Sequence, residues 1–403
     1  MVIVIKTLII GAGVVGSAIA YKLSRTLDNV FVIESNHRIP GENQSTRSNG
    51  VVHAGIYYNA RREPLKTKHC VDGNRQLYEL SQEHDIQYKR TGKIVAANGA
   101  DEEEYLGYTE NIARENGVEF RCLSGTEVKN LEPNITATKG LYFPSSGIID
   151  VVELIKKLRS LAERNGATFA IGNKVINIDV NGKRFVITTR SNSSVEIFEA
   201  ESVINAAGLY SDEIARMVNA KSTYEVIPVR GEAAKFYITR SDIEMGRMNV
   251  YPVPYAYYNE TGEIARVKLR DLEKLLDKKV VTLTVGTHLT PTFDEMHWNK
   301  IGNTVIIGPL KTTRLMGKDD YAYNLRQREE YLKAVNKFAA NLRLEDIQLH
   351  HTGIMGILKD HPDFLIEPDI VYPNFINLLG ISSPGLTAAL SIADYVTELR
   401  RNL

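Results

Sequence analysis

Apolar and polar positions fall into blocks that predict an α/β chain. Lys6-Thr7-Leu8-Ile9-Ile10 reads as a short strand, Val14 to about Leu27 as a helix, and Asn29 to Ile33 as a second strand. Leu65 to Asp85 has helical spacing, with Cys70, Leu77 and Leu80 among its apolar positions. Gln87 to Ala97 reads as a strand around Lys93-Ile94-Val95-Ala96-Ala97. Asp101-Glu102-Glu103-Glu104 starts a polar helix, and that acid run suits a solvated helix N-terminus, so no chemistry is assigned to it. Gly140 to Pro144 and Gly147 to Asp150 give a strand and a turn into a helix capped near Asp150 and ended by Asn165-Gly166.

A meander is expected next, through Thr168–Ile171, Lys174–Val180, Arg184–Thr189 and Val195–Phe198, with Asn181-Gly182 as a hairpin turn. Glu201 to Tyr210 gives another buried strand, ending in small residues, before a helix from Ser211 to Val218. From Ser222 to about Pro309 the pattern predicts antiparallel strands, interrupted by a charged excursion at Asp271 to Lys279. Tyr323 to Asn341 reads as an amphipathic helix. Phe375 to Gly380, a turn at Ser383-Pro384-Gly385 and a helix from Leu386 to Leu399 repeat the opening order of strand, glycine turn and helix.

With 403 residues, 43% of them hydrophobic, the chain can bury the cores of two or three domains. Lys plus Arg and Asp plus Glu stand at 49 each, so no net field draws nucleic acid or an anionic membrane. Cys70 and Cys122 are too few for a disulfide framework and are read as buried thiols of a reducing interior. Lys6 and the following glycines argue against a secretory signal. No run of 18 or more uninterrupted apolar residues occurs, so no transmembrane segment is expected, and the expected location is cytoplasmic or peripheral to a membrane.

Gly11-Ala12-Gly13-Val14-Val15-Gly16 sits between the first strand and the first helix, the context in which G-x-G-x-x-G binds a dinucleotide. Gly11 permits the turn, Gly13 lets backbone N–H groups approach a pyrophosphate, and Gly16 lets helix and strand pack closely. Glu34 closes the second strand where an acid accepts hydrogen bonds from an adenosine ribose. An ADP-containing cofactor is the expectation. Gly50 to Tyr58 is apolar and carries His53 between glycines, either as a ligand-facing group or as a packed histidine.

These motifs resemble those of the D-amino-acid oxidase-like FAD-dependent oxidoreductases over essentially the full length. Gly11 to Gly16 with Glu34, Val203 to Gly208, and Gly380 to Gly385 carry the resemblance. The segments Val51 to Tyr58, Pro228 to Glu232, Val250 to Pro254, Gly286 to Thr290 and Leu379 to Thr387 are similar to those of the L-2-hydroxyglutarate dehydrogenase branch. The resemblance implies a glutathione-reductase-type Rossmann FAD domain, discontinuous over residues 1–80, 145–221 and 345–403, and a β-rich antiparallel substrate domain over 81–144 and 222–344. It implies noncovalent FAD, with Glu34 on the ribose, Ser45, Thr46 and Arg47 near the phosphates, and Val175 beside the adenine. Gly50, Val51, Ala207 and Gly208 would approach the cofactor by backbone, and Gly380, Ser383, Pro384, Gly385, Leu386 and Thr387 would lie against the flavin. Two arginines typical of that branch are replaced here by Met355 and Pro291, which bears on any dicarboxylate substrate.

The activity so implied is oxidation of a small 2-hydroxy acid, L-2-hydroxyglutarate-like, to the 2-oxo acid by hydride transfer to flavin N5. That chemistry needs a base for the hydroxyl proton and donors for the carboxylate. His53 and His288 are the base candidates, each alternatively a packed histidine. Arg230 is the candidate carboxylate clamp, alternatively a structural ion pair. An electron acceptor, whether quinone, oxygen or a carrier protein, is also implied. The competing readings are an amine or amino-acid oxidase of the glycine or sarcosine type, a glycerol-3-phosphate dehydrogenase, and a flavin-binding protein without catalysis. No metal is expected, because His350 and His351 are adjacent and should point apart, and His361 has no clustered partners.

Overall fold

The computed structural model describes residues 4–41, 43–192, 194–258, 260, 264–265, 267–313 and 315–403. Two eight-stranded sheets organise it. The first is built outward from Val4–Ile10, which pairs in parallel with Val30–Glu34 on one side and Val195–Asn205 on the other. Continuous apolar runs form these strands because both faces are covered: Leu8, Ile9, Val32 and Ile204 are wholly buried. One face carries the helices Val14–Ser24, Pro64–Glu83, Val151–Arg164 and Gly385–Arg401, and the other carries Ser211–Val218. Asp150 caps the third of these helices by accepting from the Glu153 N–H at 2.9 Å. Gly73 lets the helix Pro64–Glu83 approach the last helix, since a Cβ there would lie 2.2 Å from the Thr387 carbonyl oxygen.

The second sheet runs in the order Gln348–Leu358, Val226–Tyr237, Ile301–Thr312, His288–Phe293, Asn249–Pro252, Lys93–Ala97, Lys139–Phe143 and Arg121–Ser124. All its pairings are antiparallel except that of Asn249–Pro252 with Lys93–Ala97. A small sheet of Val51–Val52, Gly147–Ile149 and Tyr88–Lys89 lies where the chain passes between the two. A separate hairpin, Tyr255–Tyr258 with Val281–Thr284, carries the helix Leu269–Asp277.

Several sequence expectations are corrected. Thr168–Ile171 does not join the meander but pairs in parallel with Val30–Glu34, adding a strand at the opposite edge. Val195–Asn205 is one strand rather than two, antiparallel to Arg184–Arg190 over Val195 to Ala200 and parallel to Val4–Ile10 from Glu199 onward. Gln348–Leu358, placed by the sequence in the nucleotide half, pairs with Val226–Tyr237 in the second sheet, and the Rossmann strands resume at Leu365. The helix expected from Tyr323 spans only Arg328–Val335. The carbonyls of Tyr323 and Asn324 are turned to the Arg230 guanidinium, Asn324 has φ +50°, and a Gln327/Glu330 capping box starts the helix late. Cys70 is buried as expected, but Cys122 is exposed on an edge strand.

Candidate active site

A cavity of about 1450 Å³ runs from Glu34, past the start of the first helix, to the strands of the second sheet. At its nucleotide end the chain crowds its own backbone. Gly11 has φ +104°, and a Cβ on Gly16 would sit 1.9 Å from the Gly11 carbonyl oxygen, so neither position admits a side chain. Gly13 caps the helix without a side chain of its own. Its neighbour Ser45 instead accepts from the Val14 N–H at 3.0 Å, and a Cβ on Gly13 would lie 3.1 Å from that hydroxyl. Glu34 is buried, accepting from the Ala12 N–H at 2.8 Å and the Asn36 N–H at 2.9 Å. Both bonds hold the carboxylate beside the turn.

Farther along, Asn43 accepts from the Thr46 N–H at 3.2 Å, while its own amide nitrogen is buried without a partner among the described residues. Arg47 donates to the Thr352 carbonyl at 3.3 Å and lies 4.3 Å over the Tyr321 ring. Val175, Ala207 and Gly208 line the same passage. Of the residues expected at the cofactor, Val15, Val51, Ser383, Pro384, Gly385 and Leu386 also face the cavity. Thr46, Gly50, Gly380 and Thr387 stand behind its wall. Thr387 has a positioning role instead, accepting from the His53 N–H at 3.0 Å and so tying that loop to the last helix.

These residues fit FAD. The passage combines an open helix N-terminus flanked by glycines, a buried carboxylate at one end, and the unpartnered Asn43 amide along it. Gly11 to Gly16 and Ser45 would hold the pyrophosphate, Glu34 the ribose, and the Ser383 to Leu386 turn the ring system.

At the far end His53, Tyr57, Tyr251 and His288 share the wall. His53 sits in the loop after Val51–Val52; its carbonyl accepts from the Asn74 amide at 2.8 Å, and its Nε2 lies 3.4 Å from the Ser383 hydroxyl. Its Nδ1 is buried with no partner among the described residues. Burial, then the nearby Lys93 and His288, hold the His53 imidazole well below its ordinary range, so it is neutral. His288 begins a strand of the second sheet and stacks on Tyr251, and burial pulls it down to about 3 against the opposing bond to the Gly286 carbonyl. The Tyr57 and Tyr251 hydroxyls are buried without partners among the described residues. Lys311 also lines the cavity and donates to the Thr284 hydroxyl at 2.7 Å.

Arg230 corrects the clamp expectation. It is 1% exposed and stands outside the cavity wall. Its five N–H donors meet Glu232, the Asp320 carboxylate and carbonyl, and the carbonyls of Tyr323 and Asn324, at 2.8 to 3.3 Å. A guanidinium so occupied has nothing left for a substrate.

Sequence reading also passed over Lys93, Tyr57 and Tyr251. Lys93 opens a strand of aliphatic residues, where the pattern Lys-Ile-Val-Ala-Ala says only that a strand begins. Tyr251 lay within a quoted segment, but its alternation with Val250 and Pro252 does not say which face meets a cavity. His350 and His351, expected to point apart, instead meet edge to face at 4.7 Å. Among the described residues no three His, Cys, Asp or Glu side chains converge on a metal position, and no helix is long and apolar enough to cross a membrane.

The chain matches the family of FAD dependent oxidoreductases (DAO) over residues 6–399. It is 30% identical to a mitochondrial L-2-hydroxyglutarate dehydrogenase of Arabidopsis thaliana, over 98% of this chain and 83% of that one. It is also 30% identical to a glycerol 3-phosphate dehydrogenase of Caloramator mitchellensis, over 98% of this chain and 73% of that one. Among solved structures it is similar to the L-α-glycerophosphate oxidase of Mycoplasma pneumoniae with FAD bound, at a TM-score of 0.80 and 23% identity over 99% of this chain and 95% of that one.

Proposed function

We propose that this chain, which belongs to the DAO family of FAD-dependent oxidoreductases, oxidises the CH–OH group of a small 2-hydroxy acid to the 2-oxo acid, with His53 taking the hydroxyl proton. The reaction removes a hydride from carbon and a proton from oxygen. FAD, when bound, supplies the two-electron acceptor for the hydride. The neutral His53 imidazole in the cavity wall carries this reading, because an alcohol must lose an O–H proton, whereas an amine need only arrive uncharged.

The residues divide the remaining work. Tyr57 and Tyr251 offer hydroxyl donors, and Lys311 an ammonium, to a carboxylate entering the cavity. That carboxylate would offset the positive field around His53 and raise its proton affinity as the substrate arrives. Ser383, at 3.4 Å, is placed to orient the ring or to relay its proton outward. The apolar wall of Val281, Leu283 and Val285 lowers the water content around the reacting carbon. Met355 and Pro291 bring no second cation for a dicarboxylate, so a monocarboxylate such as lactate or 2-hydroxybutyrate suits the cavity as well as L-2-hydroxyglutarate does. Glycerol 3-phosphate is the second reading, favoured by Lys311 at the cavity wall and by the name of the Caloramator relative.

Anaerobic titration of the FAD-loaded protein against 2-hydroxy acids, glycine, sarcosine and glycerol 3-phosphate tests this. Flavin bleaching by a 2-hydroxy acid is expected. Bleaching by an amine alone, or by glycerol 3-phosphate alone, would replace the proposal.

A further inference from the structure

Lys93 is 0% exposed, at the start of a strand paired on both sides, to Phe143 and to Asn249. Its ammonium has no hydrogen-bond partner among the described residues. The nearest groups are aromatic faces: Nζ lies 4.0 Å from the Tyr251 ring centroid and 5.3 Å from that of Tyr57. His288 lies 3.8 Å from the same Tyr251 centroid with its plane within 10°. Two groups at these distances cannot share one face, so Lys93 and His288 sandwich Tyr251.

The ionisable groups facing Lys93 come from every neighbouring element. They are His53 and Tyr57 of the loop before the helix Pro64–Glu83, Cys70 of that helix, Tyr251 of the adjoining strand and His288 of the next. None is an anion near neutral pH: burial pushes the Cys70 thiol up to about 12 and raises both tyrosines. A buried charge without a counter-ion costs several kcal/mol. Structure alone gives no return for it, since an apolar side chain would fill the same space.

We propose that Lys93 is a positioning residue, whose ammonium behind the Tyr57 and Tyr251 rings draws an anionic substrate into the cavity and orients its carboxylate on the two tyrosine hydroxyls. The inference rests on the reading that the substrate is an anion. The tyrosine rings polarise between the ammonium and the cavity, and their unpartnered hydroxyls are the donors nearest to hand. The same field bears on His53 and His288, disfavouring a second positive charge there. Lys93 itself is lowered to about 7, chiefly by burial, so its charge is lost as pH rises through neutrality and anion binding should weaken with it.

The test uses the FAD-loaded full chain, with pyruvate as the anionic probe and pyruvamide as its uncharged counterpart, each followed by flavin absorbance. Lys93→Met should keep FAD, weaken pyruvate binding about tenfold or more below pH ~7, and leave pyruvamide binding unchanged. In the unmutated protein and in Lys311→Gln alike, pyruvate affinity should fall as pH rises through about 7 while pyruvamide stays level, which decides the matter even if Lys93→Met does not fold. Histidine ring resonances in the substrate-free protein add a readout that a space-filling residue would not move: in Lys93→Met, His53 should take up its proton at higher pH. Lys311→Gln should leave that titration in place, separating the two cations. Equal losses of pyruvate and pyruvamide binding, a pyruvate affinity level across pH 7, or an unmoved His53 titration would each overturn the proposal. If no hydroxy acid reacts while these results hold, the reaction assigned above fails and the role of Lys93 stands.

Discussion

Tyr251 and His288 lie face to face, their ring centroids 3.8 Å apart and their planes within 10°. The strands that carry them are neighbours, with Val250 opposite Leu289, so the sheet register sets the stack. A carbonyl can only accept, so the 3.2 Å contact of His288 Nδ1 with the Gly286 oxygen places the proton on Nδ1. With the imidazole neutral, Nε2 keeps its lone pair. The stack therefore presents a fixed acceptor, whereas His53 has its Nδ1 unpartnered among the described residues.

At the nucleotide end, Gly13→Val should abolish FAD binding in a folded protein. A Cβ there already lies 3.1 Å from the Ser45 hydroxyl, and two further methyl groups would fill the space of the pyrophosphate. Glu34→Ala should weaken FAD by about 1–3 kcal/mol, the cost of leaving polar partners unpaired. Flavin-to-protein ratios and FAD titration of the apoprotein measure both. Full retention in Gly13→Val would contradict the placement.

Arg230→Met should act on stability rather than on substrate affinity. Removing the guanidinium leaves Glu232 as a buried carboxylate without its cation, at a cost of roughly 3–5 kcal/mol, and takes from Asp320 its ion-pair partner. Denaturant unfolding should show that loss, with KM unchanged in the surviving folded fraction. A raised KM at parental stability would restore Arg230 as a substrate clamp.

The acid limb of stability should follow the buried histidines. Burial holds His288 at about 3 and His69 and His351 at about 4, each below its unfolded value. Their contribution is complete above about pH 6.5 and is lost as pH falls from there towards the folded values, because the unfolded chain takes up protons first. His288→Phe keeps an aromatic face against Tyr251 and removes one such group. Its Tm should decline less steeply than the parent's between about pH 6.5 and pH 4, and parallel curves would show that His288 is not held neutral.

The nucleotide half was legible because its signals are local. Gly11 to Gly16 and Glu34 are read by spacing alone, and the structure puts them at one end of one cavity. The second half was less legible because its contacts are long-range. Nothing in the segment Tyr323 to Asn341 announces that the carbonyls of Tyr323 and Asn324 serve Arg230, more than 90 residues earlier, and delay the helix. Arg230 itself looked available because a sequence shows a guanidinium but not its five acceptors. Lys93 was hidden for the opposite reason, since a lysine opening a strand is ordinarily solvated and only the tertiary stack of Tyr57, Tyr251 and His288 seals it.

The central claim is that a neutral His53 takes the hydroxyl proton, and rapid anaerobic mixing of FAD-loaded protein with the reactive 2-hydroxy acid tests it most directly. Proton removal is required only on the way to the transition state, so His53→Asn should bind FAD and substrate normally yet bleach its flavin on the order of 10²–10⁴-fold more slowly in a single turnover. Bleaching of His53→Asn at the parental rate would contradict the claim and move the base to the free Nε2 of His288.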